Sequence, residues 1–535
     1  MLHELQLATR LEPELTIVSA GLHIEQADDR SAVQAHPLAE LKHASITQRL
    51  ARGALVYVLA LVVGKGLTVT LQIVLGRWLG PSSYGLYSLG YSIVSLLSWV
   101  AVLGLDQGVL RFCAIHRTRE ESDKMRATLW RALVLAGVAS ALTATLLAIR
   151  SRQIAVRFFT PSFAIVLAAF ALTLPFLTLV RIAGTFLQSL HDIYRMSVLQ
   201  LLARPAFNIA LVAIAITMGF GLGGAVGAYV LCCVGTAVLA GYYLAKNLPA
   251  KENRRSIAGT GHSALMRYSL TLMIAGLTYQ VILRAPQILL GHLSSASQVG
   301  VFSAGASFAL GFGFMTSTFL QPAMPMMVEL HETRQSDGLR RLYQNSTRWT
   351  LAVVTPIFLL LALFHKEVIH MFGRNFAAAG PILVAMSLGW LVYYGKGPGS
   401  ALLQMTGRQN LDMANTMGVA VLTVVTNYLA IPRYGALGAA LATAGSISVW
   451  ALVEYVEVRI LFGLSPWSPG AQRILLGAVI TSAMTLSLRT ALPWQILLLV
   501  TVCSYGAFYF GFCLEADDRQ VVAAGLGRIR GLLQH

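Results

Sequence analysis

Four basic side chains lie where a lysine or arginine is costly. Lys65, Arg181, Arg284 and Lys396 each fall within a long apolar stretch of this 535-residue chain. A charge inside a membrane-spanning segment is unfavourable unless it faces a cavity or a partner, so each is a candidate functional group. Lys65 sits in Val62-Val63-Gly64-Lys65-Gly66, and Arg284 stands just before Pro286, which predicts a local kink. Lys396 lies in Gly395-Lys396-Gly397-Pro398-Gly399, where glycine and proline bend or break a helix. A guanidinium makes planar, bidentate contacts to phosphate, and an ammonium adds a point charge. Several of them in a space screened from bulk water suit an anion such as a diphosphate. Acids are scarcer. Asp106 with Arg111, and Glu454 and Glu457 with Arg459, lie near expected helix ends. Interfacial ion pairs that help close one face, worth about 0–1 kcal/mol each, are the plainer role for them, and coupling to a proton or cation is the sharper one.

The elements that position these residues are membrane helices. The composition is 56% hydrophobic and only 12% charged, against about 25% charged in an ordinary soluble domain, which excludes a soluble protein. Apolar windows predict an all-α polytopic membrane protein of about fourteen transmembrane helices. The first six run near 53–76, 85–110, 127–149, 161–186, 197–218 and 221–245, the next six near 267–291, 298–324, 349–371, 378–404, 412–431 and 435–461, and a final pair near 473–490 and 493–514. The expected organisation is a cytoplasmic N-terminal tail, flexible and without signal-peptide features, over 1–52, a first lobe over 53–245 and a cytoplasmic linker over 246–266. A second lobe over 267–461, a C-terminal helix pair over 462–514 and a cytoplasmic tail over 515–535 complete it.

The net charge of +17 would suit nucleic acid in a soluble chain. Here Lys and Arg concentrate on the side carrying 111–126, the central linker and 334–348, as the positive-inside rule predicts with both termini in the cytoplasm, so no nucleic-acid partner is expected. Loops on the other side are short, which argues against a membrane-embedded glycan polymerase or ligase with an outer domain. Gly219-x-Gly221-x-Gly223-Gly224 follows a membrane helix instead of a strand and reads as helix packing. His365-Lys366-Glu367-x-x-His370 lacks the spacing of a zinc-protease motif. With neither a phosphate-binding loop nor a catalytic constellation, the expectation is no enzyme, no cofactor and no metal.

Self-comparison reveals a repeat. Gln72–Ser92 laid on Gln287–Ser307, a shift of 215 residues without a gap, agrees at nine of twenty-one positions, among them Gln72/Gln287, Gly76/Gly291, Gly85/Gly300, Ser88/Ser303 and Gly90/Gly305. The same shift lays Arg181 on Lys396. Six helices separate the copies, so both enter the membrane in the same sense. Halves related in this way typically close over a site at their interface and rock to expose it on either side.

The run Leu75-Gly76-Arg77-Trp78-Leu79-Gly80-Pro81-Ser82-Ser83-Tyr84-Gly85, the later Gly104-Leu105-Asp106-Gln107-Gly108, and Ile431-Pro432-Arg433-Tyr434-Gly435-Ala436-Leu437-Gly438 resemble bacterial polysaccharide flippases over about residues 50–461. These belong to the superfamily that also holds multidrug and toxin extruders and the lipid II flippase. The resemblance implies two six-helix lobes with alternating access, and a polyprenyl-diphosphate-linked oligosaccharide carried across the inner membrane for O-antigen, capsule or exopolysaccharide synthesis. It implies a cationic lumen, to which Lys65, Arg181, Arg284 and Lys396 are matched by chemistry and depth. Expected partners are the lipid-linked oligosaccharide, membrane lipids, and polysaccharide polymerase and chain-length machinery. The alternative transporter, a cation-coupled drug exporter, fits poorly with Lys65 in the first helix, because such a lumen repels cationic drugs.

Overall fold

A computed structural model describes the backbone of residues 30–248, 262–309 and 313–513. The C-terminal tail and most of the linker expected over 246–266 lie outside the described residues, as does the start of the N-terminal tail. The chain divides into two units, Met1–Ala54 and Leu55–His535. The first is helical from Arg30 onward, where a flexible tail was expected. Its Ala and Leu content there favours a helix.

The second unit is built of α1 (Val56–Val102), α2 (Leu105–Thr118), α3 (Ser122–Phe158), α4 (Phe163–Ala171), α5 (Leu174–Ser189), α6 (Ile193–Ser197), α7 (Arg204–Thr217) and α8 (Gly221–Asn247). There follow α9 (His262–Leu293), α10 (Ala296–Ala309), α11 (Gly313–Glu332), α12 (Ser336–Leu363), α13 (His365–His370), α14 (Ala379–Gly395) and α15 (Gly399–Met405). The last three are α16 (Gln409–Phe462), α17 (Pro469–Leu488) and α18 (Trp494–Phe508).

Among the described residues, ten stretches are long and apolar enough to cross a membrane. Two of them fold back on themselves at a glycine of positive φ, Gly80 in α1 (φ 70°) and Gly435 in α16 (φ 55°). Tyr84 OH donates to Gln72 Oε1 at 2.7 Å and Asn427 Nδ2 to Thr443 Oγ1 at 3.2 Å, whereas an unbroken helix would hold residues so far apart in sequence at least ~18 Å from each other. With each reversal counted as two passages, the described residues give twelve, and α14 is a further, shorter apolar helix, against about fourteen expected. Boundaries moved as well. The second passage ends at Val102 instead of near 110, because the chain turns through Leu103 and Gly104, both with positive φ, and restarts as α2. The helix through Pro286 continues unbroken to Leu293.

Packing follows side-chain size. Along α3, Thr128, Ala132, Ala136, Ser140 and Ala144 are buried, while Val134, Val138, Leu142, Leu146 and Ile149 are exposed. Small residues every fourth position let neighbouring backbones approach, and the bulky apolar face is left for lipid, where no hydrophobic force drives helices together. The main core joins both halves through Leu75, Phe170, Phe302 and Trp390, and α17 and α18 dock on α12 through Leu351, Ile474 and Tyr505.

The repeat has a physical reason at the point where the halves meet. A Cβ on Gly85 would lie 1.7 Å from the carbonyl oxygen of Ala296, and one on Gly300 would lie 2.0 Å from that of Pro81. Since 81 and 296 also differ by 215, each glycine faces the counterpart of its own neighbour across a local pseudo-twofold. This symmetric seam lies on the face carrying Gly80, here the hairpin face. On the opposite, linker face the contact is asymmetric: a Cβ on Gly104 would stand 2.0 Å from the Ser269 carbonyl oxygen, and the Arg111 guanidinium lies 4.5 Å from the centre of the Tyr268 ring.

Candidate functional site

Between the two seams lie two adjoining cavities, of about 260 and 160 Å³. They share Lys65, Thr68, Gln72 and Tyr91. The larger adds Arg204, Gln200 and Asn208, and the smaller adds Arg284, Gln287 and Ser303. Three cations from three helices therefore converge, Lys65 from α1, Arg204 from the start of α7 and Arg284 from α9. Among the described residues no Asp or Glu lines either cavity. The Arg284 guanidinium sits 5.1 Å from the centre of the Tyr91 ring, and its Nε has no hydrogen-bond partner in the structure. Lys65 is solvent-exposed within this space.

Local structure explains the placement. The glycine before Lys65 is where α1 meets the next wall: a Cβ on Gly64 would lie 2.4 Å from the Leu201 carbonyl oxygen. Leu201 belongs to a wide π-helical turn, Val198–Ala203, that immediately precedes Arg204 and carries Gln200. Such turns recur at functional sites because they shift the side chains that follow them. In the wall of the smaller cavity, Ser92 Oγ donates to Gln287 Oε1 and Gln287 Nε2 donates to Ser303 Oγ at 3.2 Å, a polar tie between the halves.

The sequence-expected cations part company here. Lys65 and Arg284 are brought together, whereas Arg181 and Lys396 are held in ion pairs. Arg181 Nη2 lies 2.8 Å from Asp106 Oδ2, and its guanidinium stacks 4.0 Å from the centre of the Trp99 ring. Lys396 caps the end of α14 and donates to Glu454, which is fully buried and also accepts from Ser400. Glu454 is thus no interfacial partner of Arg459, because the chain break at Gly397–Pro398 turns the ammonium inward toward α16. Arg111 stacks on Tyr268 instead of pairing with Asp106, and Glu457 accepts from Asn415 Nδ2 at 2.6 Å.

Arg204 is the residue that the sequence reading missed. It lies close to the start of its apolar run, where an arginine passes for a helix-end charge that reaches for the interface. The available signal was the Arg204-Pro205 pair within the run of 198–216. On the linker-face loop, Lys124 Nζ at 2.7 Å and His116 Nδ1 at 2.8 Å hold the Glu121 carboxyl below the usual carboxylate range, the Lys124 contact acting most. Among the described residues no three His, Cys, Asp or Glu side chains converge as a metal site would need.

Residues 50–331 match the family model described as polysaccharide biosynthesis protein. A membrane protein of Methanocaldococcus jannaschii is 28% identical over 128 residues, 24% of this chain and 25% of that protein, so the match spans about a quarter of the relative's length. Among solved structures the fold is similar to the lipid II flippase MurJ in an inward closed conformation, with a TM-score of 0.69 at 13% identity over 85% of this chain and 98% of that one. It is also similar to an inward-facing multidrug transporter of the MATE family, with a TM-score of 0.62 at 16% identity over 74% and 94%. A transporter of the same superfamily from Pyrococcus furiosus gives a TM-score of 0.56 at 17% identity over 77% and 95%.

Proposed function

The chain belongs to the polysaccharide biosynthesis protein family, and from that premise we propose that it is a flippase that moves a polyprenyl-diphosphate-linked oligosaccharide across the bacterial inner membrane. The observation that carries this reading is the convergence of Lys65, Arg204 and Arg284 on one space that no carboxylate lines. Cations left without a partner in a membrane interior are unfavourable unless a ligand completes them. A diphosphate is that ligand: its oxygens accept bidentate contacts from the two guanidiniums and a single contact from Lys65.

The cycle follows from the two seams. With both closed, the headgroup is held between the halves. Parting the linker-face seam admits it from the cytoplasmic side, and parting the Gly85–Gly300 seam releases it outward. The prenyl tail stays in the bilayer, and no covalent step is involved. In this reading both termini are cytoplasmic, the two halves are the rocking lobes, and the product passes to a polysaccharide polymerase and its chain-length machinery for O-antigen, capsule or exopolysaccharide synthesis. A cation-coupled drug exporter is disfavoured by the same three charges, which repel cationic drugs.

The test is transfer of a radiolabelled polyprenyl-diphosphate oligosaccharide across proteoliposomes, with Lys65→Ala and Arg284→Ala compared at matched insertion. Transfer by the wild type that both variants lose is the expected result. A wild type that moves no such lipid but extrudes cationic dyes down an ion gradient would overturn the proposal.

A further inference from the structure

The two cationic cavities differ in which half of the chain builds them. Every residue lining the larger one, from Leu61 to Tyr229, belongs to the first half. The smaller is shared: Lys65, Gln72 and Tyr91 face Arg284, Gln287 and Ser303 of the second half. Parting the halves therefore leaves the larger cavity whole and divides the smaller. Lys65 and Arg204 keep their places as one body, because α1 meets the π turn at Gly64, where a Cβ would lie 2.4 Å from the Leu201 carbonyl oxygen. Among the described residues, Arg284 is the one charged side chain that the second half adds to either cavity. Gln287 beside it is already engaged by Ser92 and Ser303, and a neutral donor gives an anion about half what a charged one gives. What Arg284 meets across the interface is the ring of Tyr91, 5.1 Å from its guanidinium, and its Nε has no hydrogen-bond partner.

We infer that the first half holds the diphosphate through Lys65 and Arg204, and that Arg284 is the contact by which a bound diphosphate draws the halves together. The inference rests on the proposed function and divides its three cations into two roles. The sign of the interaction across the smaller cavity depends on what fills it. When it is empty, closure brings the Arg284 guanidinium toward the Lys65 ammonium, and like charges in a narrow space repel. When it is filled, each cation faces the anion, and closure adds a charge-assisted bidentate contact that the parted halves lack. A ligand shifts a conformational equilibrium only by its difference in affinity for the two states, and one that binds both equally shifts nothing however tightly it binds. The contacts of Lys65 and Arg204 are present in both states and supply affinity. That of Arg284 exists only in the closed state and supplies the difference. The loaded protein therefore closes, and the empty one resists closing.

The experiment measures binding and closure separately on the full-length chain in nanodiscs, with undecaprenyl diphosphate as the probe. Spin labels go on cysteines introduced at Thr118, at the end of α2, and at Thr333, just after α11, both exposed. The exposed Cys503 is replaced by serine, and double electron–electron resonance reads how far apart the halves stand on the linker face. In wild type, saturating probe should lower the ratio of parted to closed molecules about tenfold. Lys65→Gln should need about tenfold more probe and still show the full change at saturation. Arg284→Gln should still bind the probe, which shows that it is folded, yet saturation should leave its distances where they stood without probe. If Arg284→Gln closes as wild type does, or is folded by thermal unfolding but binds no probe, the division of roles is wrong and the diphosphate site stands. A wild type that binds the probe without any change of distance overturns the inference in the same way. If wild type binds no probe, the flippase reading fails and takes this inference with it.

Discussion

Each half of the chain uses its intramembrane cations in two opposite ways. Arg181 and Lys396 correspond under the repeat, and both are spent on an internal partner, Asp106 on α2 and Glu454 on α16. Those two acids do not correspond, so the halves have neutralised equivalent cations by different routes. The first helix of each half instead keeps a cation open to the cavity. Lys65 in α1 falls on Gln280 in α9, and Arg284 in α9 on Val69 in α1, so the cation has moved by one helical turn between the copies. A paired cation fixes how helices pack. An open one leaves a charge for something that is not part of the chain.

That contrast can be broken in several places. The largest effect should come from splitting the buried pair. Glu454→Gln leaves Lys396 with a buried charge and no countercharge, and the expected loss is ~3–5 kcal/mol, whereas the double variant Lys396→Met/Glu454→Leu should recover most of it. Thermal unfolding in detergent measures both, and equal destabilisation of the single and double variants would contradict the assignment. Next, Arg204→Ala should lower lipid transfer by about a hundredfold, equivalent to ~2.7 kcal/mol, while shifting unfolding by less than about 0.5 kcal/mol. A variant that unfolds instead would place Arg204 among the structural cations.

How far the sequence carried the reading is visible in these same residues. The apolar windows were enough for the all-α polytopic fold, because lipid imposes its length on every span, and the 215-residue repeat marked the glycines that meet at the seam. Lys65 and Arg284 were legible as charges too deep to reach an interface. The partners of Arg181 and Lys396 were not, since 75 and 58 residues separate them from their acids and nothing local reports which helices meet. Arg204 escaped because a π turn, which leaves no mark in hydropathy, is what turns it into the cavity.

A smaller effect tests the seam. Gly85→Ala forces the Ala296 carbonyl away, at a cost of ~1–3 kcal/mol as in other overpacked contacts. It should raise labelling of a cysteine introduced at Ser88 by a membrane-impermeant thiol reagent added from the hairpin face, and unchanged labelling would show that this seam is not a barrier. The smallest effect belongs to the linker-face loop. Because Lys124 and His116 hold Glu121 below its ordinary range, its contribution is complete above the unfolded carboxylate pKa of about 4.3 and is lost as pH falls through the lower folded value. Glu121→Gln should therefore unfold slightly earlier than wild type at pH 7, and the gap should close in acid. A gap that widened in acid would reverse the sign assigned to this loop.

The Gly85–Gly300 contact also bears on ancestry. Two separate copies of a half-length chain, associating about a true twofold, would make this contact with one glycine used twice, so a single codon would answer for both sides. Fusion would turn that codon into two, each able to drift alone. The cavity charges differ between the copies by a turn of helix. The seam glycines are the same in both, and any side chain on either one runs into the main chain of the other half, which cannot be exchanged for a more accommodating one.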